Sequence, residues 1–369
     1  MSDTYLENIY LENFRNLDKS KVEFSKKINC ISGNNGNGKT NLLEAIYYSI
    51  YKKSFRKNTK DDLLYKSDND QYFILKTDFY KSGKKYNHSM KIQEDEKKIY
   101  VNSQKNKRLE KIKSVPINPY DSHIFYANKK MRRDLIDGFI SDYDSVYKKS
   151  LANFNKSLRS RNLIIQKYFG PEVEFTRQIK VYDEIIAENA EVLIKKRYEF
   201  IEELNPILKQ TFNEIFREPI DLKIQYESKF GKDVNKAEIY NFYQSEISKD
   251  RMVKGTRRGI HLDDVNILLN NKYCHEYGSI GQQKVSFLSL LFSYVGYLQT
   301  HEKITPILLI DDISGELDSL CLDNLLKYLE RKQVQVFITT ANEEFAKRLN
   351  NILGSKHYVI DQGKITELH

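Results

Sequence analysis

The residues best placed to do chemistry are Gly33, Asn34, Asn35, Gly36, Asn37, Gly38, Lys39 and Thr40, which fit G-x-x-x-x-G-K-T without departure. Glycines let backbone N–H groups curl inward around phosphate oxygens. Lys39 would reach the β- and γ-phosphates of ATP, and the Thr40 hydroxyl would ligate Mg²⁺. The loop has the flanks this chemistry needs. Ile28 to Ser32 is a short apolar run that reads as a buried strand, and Leu42, Leu43, Ala45 and Ile46 recur at helical spacing. The helix N-terminus adds a partial positive charge facing the phosphates. A chance Gly/Asn-rich turn is the bland alternative, and the two flanks count against it.

Two later stretches extend the pattern. In Ile307 to Asp318 (ILLIDDISGELD) an apolar strand ends in adjacent acids. Asp311 at the strand tip is placed to hold Mg²⁺, and Asp312 to orient an attacking water. A strand over Val334 to Ile338 ends in Thr339-Thr340, where a polar group could sense the γ-phosphate. In the second stretch Ser279, Gly281 and Gln282 precede a strongly apolar helix over Val285 to Leu298. A serine and a glycine there make another anion site, or an ordinary N-cap. A second phosphate site makes sense if this turn closes on ATP held by a partner subunit.

The elements that must position these groups read as follows. Tyr5 to Ser32 holds two or three strands, interrupted by Asn13-Phe14-Arg15-Asn16. Residues 52–60 form a basic loop in which Arg56, just past the loop helix, is a nucleotide or nucleic-acid contact, or merely solvated. Gln71 to Val101 alternates in short runs, as an antiparallel meander does. Asn102 to Lys113 reads as an exposed charged turn, and Val115 to Pro119 as a proline-bearing crossing between lobes. From Asn128 the pattern becomes helical. One long helix is expected from Lys129 through Tyr143 to Tyr168, a break at Gly170-Pro171, and a second through Ile179 to Phe212. Together they make a short antiparallel hairpin, each arm roughly 50–60 Å. Lys129, Lys130, Arg132 and Arg133, beside a basic face of Lys148, Lys149, Lys156, Arg159, Arg161 and Lys167, are candidate DNA contacts. A strand over Asp221 to Tyr226, a helix over Lys236 to Arg251 and a closing hairpin over Tyr358 to Leu368 complete the chain. The expected domains are an ATPase lobe at 1–118, a helical lobe at 119–254 and a second ATPase part at 255–369.

Composition limits the partners. The net charge of +9 suits a polyanion such as nucleic acid. No run of 18 apolar residues marks a membrane span, and the acidic, alternating start does not read as a signal peptide. Cys30, Cys274 and Cys321 have no C-x-x-C spacing and read as reduced thiols of a cytoplasmic protein.

The ordered set of phosphate loop, SxGQQ turn and Asp-Asp strand resembles the ATP-binding cassette ATPases. Lys39 and Ser279 lie 240 residues apart. That is too far for a transporter domain and too close for the long-armed chromosome-structure proteins. An insertion with one short hairpin is similar to the RecF family of bacterial recombination mediators. The resemblance covers essentially the whole chain, through Leu11-Glu12-Asn13-Phe14-Arg15-Asn16, Gly33 to Tyr47, Lys53-Ser54-Phe55-Arg56, Met131 to Asp137, Gly259 to Asp264, Gly281 to Lys284 and Asp311-Asp312. Ile260 and Leu262 stand where the family has proline and arginine, and Gly315 and Ala341 also depart. The resemblance implies an α/β fold, an ABC-type ATPase head with a P-loop core and antiparallel meander plus a helical lobe. It implies ATP with Mg²⁺, an ATP-dependent homodimer, and binding to duplex DNA and single-strand/duplex junctions. It further implies mediator partners and a recombinase to be loaded, slow ATP turnover, and ties to DNA repair, replication and the SOS response. No second catalytic cluster suggests a nuclease, and Asp263-Asp264 reads as structural. The alternatives are another compact repair ATPase of the same class, a transporter ATPase subunit, and a DNA-binding module that does not hydrolyse ATP.

Overall fold

The computed structural model describes residues 4–56, 72–93, 97–101, 104–105, 112–217 and 219–368. The chain forms two compact units. One comprises residues 1–120, 211–218 and 287–369, the other residues 121–210 and 219–286.

In the first unit, strands β1 (Thr4–Glu12), β2 (Ser20–Glu23) and β3 (Ile28–Ser32) precede helix α1 (Lys39–Tyr51). Then come β4 (Tyr72–Lys81), β5 (Lys84–Gln93), β6 (Lys97–Val101), β7 (Gln104–Lys105) and β8 (Ser114–Ile117). Between β4 and β5 only a two-residue turn, Ser82-Gly83, intervenes, so the pair is a hairpin. These strands build an antiparallel sheet in the order β2-β1-β4-β5-β6-β7, the expected meander extended by β1 and β2. Along β1 the buried residues are Thr4 and Leu6, then Ile9 and Leu11. The change of phase falls at a bulge between Leu6 and Asn8, which restores the apolar face to the core.

Elements of the second unit follow: α2 (Asp121–Ala127), α3 (Lys129–Tyr143), α4 (Ser145–Lys167), α5 (Glu172–Ile215), β9 (Leu222–Glu227), α6 (Lys236–Met252), β10 (Asp264–Leu269), β11 (Lys272–Tyr273) and α7 (Cys274–Tyr277). Helix α8 (Ile280–Thr300) leads to β12 (Ile307–Ile310), α9 (Ser319–Lys332), β13 (Val336–Thr340), α10 (Glu343–Asn350), β14 (Lys356–Asp361) and β15 (Lys364–Leu368). The last strands complete the first unit's other sheet, ordered β15-β14-β3-β13-β12-β8. It is parallel except at β15. The central strands are buried on both faces and so carry apolar residues without alternation, with Asn29 in β3 and Thr339 and Thr340 in β13 as buried polar residues. One core joins Leu6, Ile9 and Leu11 of β1, Leu42, Leu43 and Ile46 of α1, and Leu309 and Phe337 of the parallel sheet. Each such side chain contributes about 1.5–3 kcal/mol by leaving water.

Several expectations are corrected. The stretch 115–119 is first a strand, and the passage to the second unit follows it at 120–121. Pro116 lies in β8, an edge strand opposite Leu309, where a missing N–H costs no ladder bond on the open side. Of the charged turn at 102–113, residues 104–105 form β7 and 102–103 and 106–111 lie outside the described residues, as do 57–60 of the basic loop. The long first helix is two helices. Asp144 closes α3 with its N–H on Ile140 O and caps α4 with its carboxylate, which accepts from Tyr147 N at 2.9 Å. The hairpin is formed by α4 and α5, turning at 168–171. Tyr147 meets Arg197 and Arg161 meets Asp183, so numbers fall along one helix as they rise along the other. Its arms are unequal, about 35 Å for the 23 residues of α4 and about 66 Å for the 44 of α5. Residues 255–286 pack with the helical unit rather than with 287–369. The reason is that β10 pairs with β9 along its full length.

Candidate nucleotide site

The phosphate loop leaves the buried end of β3 and enters α1. Gly33 has φ +143, and a Cβ there would lie 2.2 Å from Ile360 O. Gly38, at φ +110, would put a Cβ 2.8 Å from Asn16 Oδ1. Glycine is required at both. The side chain of Lys39 turns over the loop, its Nζ donating to Gly33 O at 2.8 Å and Asn34 O at 3.1 Å. It also lies 3.5 Å from Asn35 Oδ1. Burial lowers the ammonium's pKa, while Asp312 and Asp311 act to raise it. Asn37 ties the loop to the last hairpin, with Nδ2 on Asp361 Oδ1 at 3.0 Å.

Thr40 and the acidic strand end meet as expected. Thr40 Oγ1 donates to Asp311 Oδ1 at 2.9 Å, and Thr339 Oγ1 donates to the same oxygen at 2.7 Å. Burial raises the Asp311 pKa, and these two hydroxyls work against the shift. A carboxylate held this way, beside a threonine at a helix start, is a suitable donor pair for Mg²⁺. Among the described residues no group of three or more His, Cys, Asp or Glu could hold a metal by itself. Thr40 and Asp311 would hold Mg²⁺ together with phosphate oxygens. Asp312 has φ 42, a left-handed turn that re-aims its side chain after the strand. Its N–H donates to Thr339 Oγ1 at 3.0 Å, and Ser314 donates to its Oδ1 at 3.3 Å. Thr340 is fully buried and shares a 2.7 Å bond with Ser314. The two threonines therefore brace the acidic turn.

A second layer of side chains surrounds the loop. The carboxylate of Glu44, on α1, is fully buried and receives Arg15 and Ser54, with Arg56 at 3.2 Å. Arg56 Nη2 donates to Asn41 Oδ1 at 2.7 Å, Asn41 Nδ2 to Asn16 Oδ1 at 2.6 Å, and Asn16 Nδ2 to Gly36 O at 3.0 Å. Arg56 therefore sits in the nucleotide loop's own support. Burial lowers its pKa and Glu44 opposes that. The motifs around Arg15 and Arg56 were visible in the sequence. Their common partner Glu44 was not, because a helix position carries no sign of what reaches it.

In the second unit, Ser279 and Gln282 form a reciprocal cap at the start of α8. Gln282 N donates to Ser279 Oγ at 3.2 Å and Ser279 N to Gln282 Oε1 at 3.0 Å. Ser279, Ile280 and Gly281 are exposed. The candidate DNA contacts divide. Lys129 and Lys130 are exposed and pair with Asp264 at 3.5 Å and Asp134 at 2.6 Å. Arg132 is 3% exposed and forks onto Asp264 at 2.8 and 2.9 Å, with Nη1 on Tyr126 O at 2.8 Å. Arg133 donates to Asp263 O. Arg132 is thus an internal tie, not a surface contact, and so is Arg161, held by Asp183 at 2.6 Å and Asp250 at 2.7 Å. The acid pair Asp263-Asp264 is structural. Cys30, Cys274 and Cys321 are free thiols. No described helix is long and apolar enough to cross a membrane.

Comparison with known proteins gives concordant results. Residues 5–363 match the family described as RecF/RecN/SMC N terminal domain. The chain is similar to the DNA replication and repair protein RecF of Clostridium acetobutylicum, at 32% identity over 98% of this chain and 99% of that protein. The protein of the same name from Bacteroides thetaiotaomicron is 30% identical over 98% of each. A solved structure of the recombination mediator protein RecF-ATP in the RecFOR pathway superposes with a TM-score of 0.84. It is 27% identical and covers 99% of this chain and 98% of that one.

Proposed function

Since the chain belongs to the RecF family within the RecF/RecN/SMC N terminal domain, we propose that it is an ATP-dependent DNA clamp and recombination mediator. It binds ATP with Mg²⁺, dimerises on ATP, and holds duplex DNA and single-strand/duplex junctions at gaps. There it helps load the recombinase during DNA repair, replication maintenance and the SOS response. It works in the cytoplasm with mediator partners and without nuclease activity. The observation that carries this reading is the convergence of Lys39, Thr40, Asp311 and Asp312 on one loop, paired with an exposed, capped Ser279 turn.

The residues divide the work. Loop N–H groups and Lys39 bind the phosphates, Lys39 exchanging loop carbonyls for phosphate oxygens. Thr40 and Asp311 would hold Mg²⁺, which would supply charge neutralisation at the phosphates. Asp312 orients the attacking water and accepts its proton. Ser279 and the N–H groups at the start of α8 cap the γ-phosphate bound by the other subunit. Hydrolysis removes that bridge and releases the dimer. Glu44, Arg15 and Arg56 keep the loop in shape and act only through it.

The direct test is fluorescence anisotropy on gapped duplex, with and without ATP. Tighter binding with ATP that weakens steeply with salt supports the clamp. No binding at low salt in either condition removes the DNA-repair reading and reopens that of another ATPase.

A further inference from the structure

Building on the DNA-binding reading, we propose that α4 is the track that holds the phosphate backbone of the duplex, and that Phe169 at its end stacks on the first unpaired base. Helix α4 has no Asp or Glu in its 23 residues. Lys148, Lys149, Lys156, Arg159 and Lys167 are all exposed. At 3.6 residues per turn they fall within an arc of about 100°, while Arg161 points about 120° beyond its edge into the buried tie with Asp183. None of the five forms an ion pair among the described residues. Arg159 makes one bond, from Nε to Asn155 O in its own helix. Several cations on neighbouring elements of this unit are paired with acids. Arg177 pairs with Glu174, Lys236 with Glu184, Lys209 with Asp221 and Arg251 with Glu172.

Five uncompensated charges on one line repel each other, so the arrangement costs stability unless a polyanion lies along it. From Lys148 to Lys167 the line is about 28 Å, the rise of about eight base pairs. An acidic peptide is a poorer match. Peptide grooves are lined by a row of apolar anchors, and Leu163 is the one large apolar side chain exposed in this arc.

The track ends at an aromatic ring. Two residues beyond Lys167, Phe169 is 96% exposed, on the turn made by Gly170-Pro171. Duplex phosphates give it nothing to bind, whereas an unstacked base offers a π-face. The pair of features therefore reads a place where duplex gives way to single strand.

The test uses the full chain with ATP and three probes: gapped duplex, blunt duplex, and gapped duplex with 2-aminopurine at the first unpaired position. The variants are Lys148→Gln/Lys149→Gln/Lys156→Gln/Arg159→Gln, together, and Phe169→Ala. The fourfold variant is expected to keep its melting temperature and ATP binding. It should lose about a hundredfold or more in duplex affinity, and the salt slope should fall by about 3–4. Phe169→Ala should bind blunt duplex like the wild type, lose about tenfold on the gapped probe, and abolish the 2-aminopurine signal. Wild-type binding with an unchanged affinity and slope in the fourfold variant overturns the track and leaves the clamp standing. An unchanged gapped-to-blunt ratio in Phe169→Ala overturns the junction role. Oligoglutamate that displaces duplex at equal charge concentration assigns the surface to acidic peptides instead. Wild type that binds no DNA removes both this proposal and the clamp reading.

Discussion

Two turns in this chain lead from a glycine into a helix N-terminus, and they are built in opposite ways. The phosphate loop at 33–40 is braced from outside by Asn16, Ile360, Asp361 and Asp311, and by the arginines gathered on Glu44. The turn at 278–282 is braced by itself, through the reciprocal cap of Ser279 and Gln282 and a bond from Gln283 to Gly278 O. Lys39 is buried and Ser279 exposed. A loop that must cradle a small molecule within its own subunit needs rigid walls. A surface that completes a site in another subunit needs accessibility and a stiff local turn.

The largest effect that could break this comparison is on turnover. Asp312→Asn should leave ATP binding intact and lower hydrolysis by about 10²–10⁴-fold. Wild-type phosphate release from this variant would remove Asp312 from the chemistry. Next, Ser279→Arg should abolish ATP-dependent dimers in light scattering while nucleotide titration of the variant matches wild type. Ordinary dimers would mean that this turn does not complete a partner's site. Third, Glu44→Gln should destabilise the protein by about 3 kcal/mol in denaturant melts, because two arginines lose a buried counter-charge. The matching change Ser279→Ala should cost about 1 kcal/mol, as an exposed cap does. Equal costs would erase the distinction between the two turns.

Effects of pH are about 1–2 kcal/mol, and two buried groups, one in each unit, should respond with opposite sign. His88, buried in the first unit, has its pKa lowered to about 4 by burial. Between about 6.5 and 4 the unfolded chain takes up a proton that the folded one refuses, so stability falls as pH drops. From pH 7.5 to 5 the loss is about 2 kcal/mol. Asp263, in the second unit, has its pKa raised to about 6 by burial, against the pull of Tyr226 and Arg197. The folded state binds that proton first, so stability from this group rises as pH drops, by about 1 kcal/mol over the same range. His88→Gln should flatten the acid loss and Asp263→Asn the acid gain. Circular dichroism melts at pH 5 and 7.5 decide both.

What could be read without coordinates follows the range of each interaction. The phosphate loop and the acidic strand end are local patterns and appear where their spacing placed them, and the helical hairpin turns where Gly170-Pro171 placed the turn but with a shorter first arm. Arg132 and Arg161 were taken for surface charge because their acids lie far along the chain. Asp264 is 132 residues from Arg132, and Asp250 is 89 from Arg161. No local spacing encodes such a pairing. The break at Asp144 was available locally, as an acid able to cap a helix. It was hidden by apolar residues that keep their helical spacing across it. Pro116 misled for a similar reason, since only the position of β8 at a sheet edge makes a proline acceptable there.

The order of strands has a consequence for biosynthesis. β3, which delivers the phosphate loop, lies between β13 and β14, and both belong to the last stretch of the chain. Asn37 is then clasped by Asp361 and by the Gly363 N–H. At about 5–20 residues per second, the ribosome makes the loop roughly 15–60 s before its neighbours exist. A nascent or truncated chain therefore has the nucleotide motif but nowhere to set it. The loop can take its set only once β13 and β14 have both been made.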